Sequence, residues 1–231
     1  MPKSVVYNGC SVGENPLCCF DNLTDDEIAF VEKNSVEVEY KRGETICKQG
    51  AFASHIMVMK EGLAKIYLEN GNDSLILKIL PAINIIGLPA LFDGNNTFPY
   101  SAQTYMDSTV KLIEIGAFKS LIENNAQFAV QIISLLAENS VIINGRFFCL
   151  TKKQTYGRLA DVLLCLAQRI YKQDKFPLQL TRKDLSELAS MSIESTTRIL
   201  TKFKEEGLIA IHCNEIEILD PDKLLEISAI G

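Results

Sequence analysis

Histidine is nearly absent from this chain: His55 and His212 are the only two among 231 residues. Metal-dependent enzymes built on β-folds need clustered imidazole and carboxylate ligands. One histidine in the N-terminal half and no His-x-His pair leave no such cluster to build. A nucleophile–base arrangement and a phosphate-binding glycine loop are also missing. The sequence does not read as an enzyme, and it requires no metal or other cofactor. Long apolar runs are scarce too, and none approaches the roughly 18 residues of a membrane span. The best, around 128–136, is interrupted by Gln131 and Ser134 and followed by Glu138. The N-terminus, MPKSVVYNGC, holds one lysine and a short apolar pair, too little for a secretory signal. These absences lead us to expect a cytoplasmic protein with no membrane partner.

Cysteine is present but unpaired in number: Cys10, Cys18, Cys19, Cys47, Cys149, Cys165 and Cys213. A scattered odd set argues against a secreted disulfide framework. Cys149 and Cys165 fall inside apolar helical runs, where a free thiol packs as a small hydrophobe. Positive charge is also in short supply, and the net charge is −6. The whole excess lies in residues 1–150, while 151–231 is balanced. Within the balanced part, 181–204 carries Arg182, Lys183, Arg198, Lys202 and Lys204 against three acids. The acidic half repels phosphate, and only this narrow segment tolerates it.

What is present is a change of period along the chain. TDDEIAFVEKN (24–34) reads as a short helix, capped by Thr24 and with three acids in its first turn. From Val36 the pattern alternates. VEVEY (36–40), GETIC (43–47), HIMVMK (55–60), LAKIYLE (63–69), SLILKIL (74–80), SAQTYM (101–106) and TVKLIEI (109–115) read as strands. Asn70-Gly71 marks a hairpin. Close-spaced short strands suggest a sandwich or barrel-like roll.

Helix takes over near Phe118, first as FKSLIENN and then as one long run from Phe128 to about Leu150. Its apolar residues cover more than one face, so it has more than one partner. One face suits the roll. The other suits the same helix of a second subunit, with Asn139 and Asn144 as polar residues that set register. A further amphipathic helix spans 156–171, and the polar TKKQT before it reads as a hinge.

The C-terminal part carries the motif. Thr181 opens a helix with Asp184 three residues on. SMS (190–192) is a tight turn, and Ser192 caps a second helix from Ile193 to about Glu206, stopped by Gly207. LIAI, HCNE and IEIL (208–219) then form a hairpin. Helix, turn, helix, hairpin is a winged helix-turn-helix. In that motif the first residues of the second helix meet base edges in the major groove. Arg198 suits guanine, Glu194 accepts from cytosine, and Thr197 reaches bases. Thr181, Arg182, Ser195 and Lys202 are the candidates for backbone phosphates. An ordinary surface helix with a Glu194–Arg198 pair is the competing reading.

In this order of elements the sequence resembles the CRP/FNR family of bacterial transcription regulators over about residues 20–225. YKRGETICKQG and HIMVMKEGLAKIYLENG are similar to the family's glycine-punctuated strands. LTKKQTYGRLADVL is similar to the FNR branch, and LTRKDLSELASMSIESTTRILTKFKEEGLI resembles the family helix-turn-helix throughout. The resemblance implies an α+β architecture. It has a cyclic-nucleotide-binding-like β-roll (20–126, a jelly roll), a dimerisation helix (127–151) and a winged helix-turn-helix (152–231). It implies a homodimer that binds double-stranded DNA at a palindrome with TTGA-type half-sites and works with RNA polymerase. Thr197 stands where the FNR branch has Ser, and Ser190 where the family often has Gly.

The effector segment departs from the family. Cyclic-nucleotide members carry Gly-Glu-Leu and, later, Arg-Ser/Thr-Ala; here the segments are Gly87-Leu88-Pro89 and Tyr100-Ser101-Ala102. Leu88 replaces the ribose-binding Glu and Tyr100 the phosphate-binding Arg, so the resemblance places an effector pocket at these residues without cyclic-AMP chemistry. Ile85, Ile86, Leu88, Leu91, Phe92 and Phe98 are candidates for an apolar effector pocket or for plain core. An iron–sulfur cluster is the FNR-branch alternative. Cys10, Cys18 and Cys19 differ from the branch in spacing, and Ile113 stands at its fourth cysteine. Haem is a third possibility, with His55 as the one histidine placed for it. The signal itself stays unassigned.

Overall fold

A computed structural model of the chain describes residues 20–230 apart from 72, 92, 93 and 95. Cys10, Cys18, Cys19 and Phe92 therefore lie outside the described residues. The described residues form two compact units. One runs to Ser140 without Leu75–Lys78, and the other takes Leu75–Lys78 and continues from Val141.

The first unit is the roll with its helices. Helix α1 (Asp25–Lys33) begins in a capping box in which the Glu27 N–H donates to Thr24 Oγ1 and the Thr24 N–H donates back to the Glu27 carboxylate. Strands β1 (Ser35–Tyr40), β3 (His55–Glu61), β6 (Asn84–Ile86) and β8 (Ser108–Glu114) make one sheet in the order β1-β8-β3-β6. Strands β2 (Thr45–Cys47), β4 (Leu63–Asn70), β5 (Asp73–Pro81) and β7 (Ser101–Thr104) make the other, in the order β2-β7-β4-β5. The alternation read from the sequence locates seven of these eight strands. Strand β6 escaped it because Asn84-Ile85-Ile86 is short and does not alternate apolar with polar residues. Between β3 and β4, Gly62 takes φ +105°, and a Cβ there would lie 2.0 Å from Ser108 Oγ, so both conformation and space demand glycine.

One side of the β1-β8-β3-β6 sheet is buried under helices. Ile56, Val58 and Ile113 pack with Val31 of α1, with Phe118 and Leu121 of α2 (Ile115–Asn124), and with Phe128 and Ile132 at the start of α3 (Ala126–Lys152). Phe118 meets Phe128 edge-on at 5.3 Å, the geometry that aromatic quadrupoles favour.

Helix α3 (Ala126–Lys152) runs 27 residues. The division between the two units falls within it, between Ser140 and Val141. By length and composition it could cross a membrane, which corrects the run-length reading above. Gln131 and Ser134 interrupt the apolar run without adding charge. Only 11% of its most apolar window is buried, and Val130, Ile133, Leu136, Val141, Ile143, Phe147 and Phe148 are exposed.

The second unit contains α4 (Thr155–Cys165), a π-helical continuation (Leu166–Tyr171), β9 (Lys175–Pro177), α5 (Arg182–Ala189), α6 (Ile193–Glu205), β10 (Ile209–His212), β11 (Glu215–Ile218) and α7 (Pro221–Ile230). Leu159, Leu163, Phe176, Leu185, Ile199 and Phe203 are its fully buried centre. The stretch 172–179, for which the sequence offered no strand, supplies β9, which pairs with β11 and widens the hairpin to three strands. Phe176 drives this, buried and stacked on Tyr171 at 4.9 Å. Helix α7 was not anticipated. It packs on α4, where Lys153 pairs with Asp161 at 2.7 Å and reaches Ser228 Oγ at 3.1 Å. Cys165, expected to be a free thiol, is disulfide-bonded. It is half-buried, whereas Cys149 is a buried free thiol.

Candidate nucleic-acid interface and effector cleft

The reading head is built from its caps outward. Thr181 and Asp184 form a reciprocal capping box at the start of α5: the Thr181 N–H donates to Asp184 Oδ2 at 2.8 Å and the Asp184 N–H to Thr181 Oγ1 at 3.1 Å. Helix α5 ends on Ser190, whose φ of 49° and ψ of 59° are left-handed. Met191 completes the turn, with its N–H on the Ser186 carbonyl. Ser192 then caps α6, accepting the Ser195 N–H at 3.1 Å. Thr196, Ile199, Leu200 and Phe203 form the buried stripe of α6 and fix which face turns outward.

That outward face carries Glu194, Thr197 and Arg198, all exposed. Their i, i+3, i+4 spacing puts them side by side on the first turns. Glu194 and Arg198 form no ion pair among the described residues. Instead the Glu194 carboxyl is held below its usual range, first by the free N–H of its own helix end and then by Ser192. The Thr197 hydroxyl donates to the Ile193 carbonyl at 2.9 Å, leaving its oxygen as an acceptor and its methyl free.

The residues expected at phosphates are less alike. Thr181 is exposed but its hydroxyl donates to Asp184 Oδ2 at 2.6 Å. Ser195 is half-buried against the Ser192 hydroxyl, 3.2 Å away. Arg182 is half-buried, with Nη1 shielded from solvent and facing no acceptor. Lys202 lies 5.0 Å over the Tyr156 ring, which meets Phe203 edge-on. Sequence reasoning missed Tyr156, because no local signal links it to a lysine so far along the chain. Arg146, on the second unit's part of α3, is buried and donates at 2.8 Å to the Leu188 carbonyl near the end of α5.

In the roll, the cleft residues satisfy one another. Gly87 has φ +102° and its N–H donates to the Tyr100 hydroxyl at 2.9 Å. Burial pushes the Tyr100 phenol up, so the ring stays neutral. Leu88 is buried at the start of a short 3-10 turn, Leu88–Leu91. Ser101 and Ala102 are fully buried on β7. Ser101 Oγ donates to Glu69 at 2.8 Å and accepts the Gln49 N–H at 3.0 Å, and Glu69 is paired with Lys48.

Two family models match the chain. One is the Crp-like helix-turn-helix domain over residues 157–227; the other is the cyclic nucleotide-binding domain over residues 37–125. The chain belongs to the Crp/Fnr family. The transcriptional activator protein Anr of Pseudomonas aeruginosa is 24% identical over 93% of this chain and 89% of its own. The fumarate and nitrate reduction regulatory protein of Escherichia coli is 24% identical over 95% and 88%. The CRP-like cAMP-activated global transcriptional regulator of Mycobacterium tuberculosis is 26% identical over 89% and 93%. Among solved structures, FixK2 from Bradyrhizobium japonicum superposes with a TM-score of 0.77 at 16% identity, covering 85% of this chain and 98% of its own.

As a Crp/Fnr regulator the chain is a DNA-binding transcription regulator, in a family of regulators rather than enzymes. The described residues do not fit an iron–sulfur cluster of the FNR-branch kind. Ile113 is fully buried and offers no thiolate. Cys47 lies on β2 with its thiol pushed up to about 12 by burial, which opposes the thiolate a metal needs. His55 is half-buried with Nδ1 2.8 Å from Ser54 Oγ, and His212 lies exposed on β10. Among the described residues no group of three or more His, Cys, Asp or Glu stands together to hold a metal.

Proposed function

We propose that this regulator is a cytoplasmic homodimer that reads a palindrome with TTGA-type half-sites and acts with RNA polymerase. We propose further that its roll answers a signal other than a cyclic nucleotide. The observation that carries the DNA reading is the exposed trio Glu194, Thr197 and Arg198 on the first turns of α6. Such a helix presents a cytosine acceptor and a guanine donor to adjacent base pairs. Two copies related by a two-fold axis would place their helices about one DNA turn apart. The residues at the effector segment support the signal reading. Leu88 and Tyr100 offer no charge to a cyclic phosphate or ribose, and the Tyr100 hydroxyl is taken by the Gly87 N–H.

Fluorescence anisotropy on a TTGA-type palindrome and a shuffled duplex, at two salt concentrations, tests the first part. Tight, selective binding that weakens with salt is expected. Equal affinity for both duplexes would count against base reading by α6. Calorimetry with cyclic AMP tests the second part, and saturable micromolar heat would overturn it.

A further inference from the structure

We infer that the roll holds a second ligand site, for a carboxylate with an apolar body, between α1 and the β1-β8-β3-β6 sheet. A cavity of about 420 Å³ opens there, within the range that small-molecule sites occupy. Its walls are apolar: Leu23, Ile28 and Val31 on the α1 side, Val58 and Ile113 on the sheet. It is separate from the cleft at Gly87 and Tyr100, none of whose residues line it.

One charged group makes the cavity more than a packing defect. Lys111 lines it from β8, and its side chain is only 10% exposed. Its ammonium pairs with Glu32 of α1, whose side chain is 62% exposed. A buried cation must keep an anionic partner. The partner it has is mostly in water and can exchange with solvent at low cost. A ligand carboxylate entering the cavity takes the place of Glu32 on Lys111, and its apolar body covers the walls. Lys60 is also on the lining, and Glu37 stands opposite Lys111 on β1. The selection of an anion over a neutral molecule of equal shape therefore rests on the buried Lys111 ammonium itself.

The mouth carries a second, independent mark. Ile83 lines the cavity, is 48% exposed, and has φ +62°. A β-branched residue in the left-handed region is strained, and glycine is the residue such a position favours. Its N–H is fixed on the Met59 carbonyl at 2.7 Å. Strain is thus retained at an apolar residue of the cavity lining, as at a ligand clamp. The inference concerns the roll alone and does not depend on DNA reading, so failure of the anisotropy experiment leaves it standing.

Isothermal calorimetry on the full chain, with octanoate and 1-octanol as probes, tests it. Octanoate is expected to saturate one site per chain at least tenfold more tightly than octanol. Lys111→Met should bring the two probes to equal affinity. Glu32→Gln should tighten octanoate severalfold, a gain that a misfolded variant cannot imitate. Ile83→Gly should weaken both probes while leaving the fold intact by circular dichroism. No saturable heat with octanoate, no preference over octanol, or a preference that survives Lys111→Met would overturn the site.

Discussion

Arg198 is the residue on which sequence preference should turn. It is exposed, free of Glu194, and set beside Thr197 on the reading face. Arg198→Ala is expected to cost about 1–3 kcal/mol of specific binding and to relax the preference at one base pair of each half-site. Loss of equal size on specific and shuffled duplexes, read by anisotropy, would demote it to a phosphate contact. The thiols give a second test at this scale. Burial pushes Cys47 up to about 12 and Cys149 up to about 11, so at pH 8 each is about 0.1% thiolate or less, while Cys213 is exposed in the wing turn. Iodoacetamide at pH 8 should therefore label Cys213 well before Cys47 or Cys149, as followed by peptide mass spectrometry. The trio on α6 was legible in the sequence because the caps at Ser192 and Gly207 fixed the helix and its buried stripe fixed the face. The commitments of Arg182, Lys202 and Tyr100 were not. Each depends on a neighbour brought in by the fold: a shielded surface, the Tyr156 ring, the Gly87 N–H.

Helices and strands with a period were readable, and those held by distant pairing were not. Seven strands of the roll alternate over four or more apolar and polar positions or sit beside glycine turns. Strands β6 and β9 are three residues each, and each exists because a longer partner, β3 or β11, offers it a free edge. Helix α7 is confirmed as an element only by what it packs on, since its apolar residues define no strong stripe. The turn between α5 and α6 shows the opposite case, a local rule overruled in place. Ser190 is held at φ 49° although its Cβ disfavours that region, because there the Ser190 and Met191 N–H groups close the last turn of α5 on the Glu187 and Ser186 carbonyls. Ser190→Gly is expected to stabilise the protein by about 0.5–1 kcal/mol, the relief of the left-handed strain less the added freedom of the unfolded chain. Urea unfolding would register this as a higher midpoint at unchanged slope. A lower midpoint would mean that the serine side chain contributes contacts worth more than the strain.

For the whole molecule, the unanswered surface is α3. Ile133, Leu136, Ser140, Ile143 and Phe147 follow one another at alternating spacings of three and four, the seam of a helix pair. Four of the five are apolar and exposed, at 64%, 44%, 64% and 68% in that order without Ser140. Apolar area on this scale is rarely left to water. A second copy of the same helix across a two-fold axis would cover it with matching residues. The double substitution Leu136→Asp and Ile143→Asp should split that pair, since it sets carboxylates against their own copies in a dry seam. Both positions are exposed in the single chain, so its fold should survive, which circular dichroism would check. Sedimentation equilibrium should then return about the 25.7 kDa of one chain. Affinity for the palindrome should fall about 100-fold or more, because two half-sites no longer bind as one ligand. A variant that stays dimeric would move the two-fold axis off α3 and leave the apolar seam for some other partner.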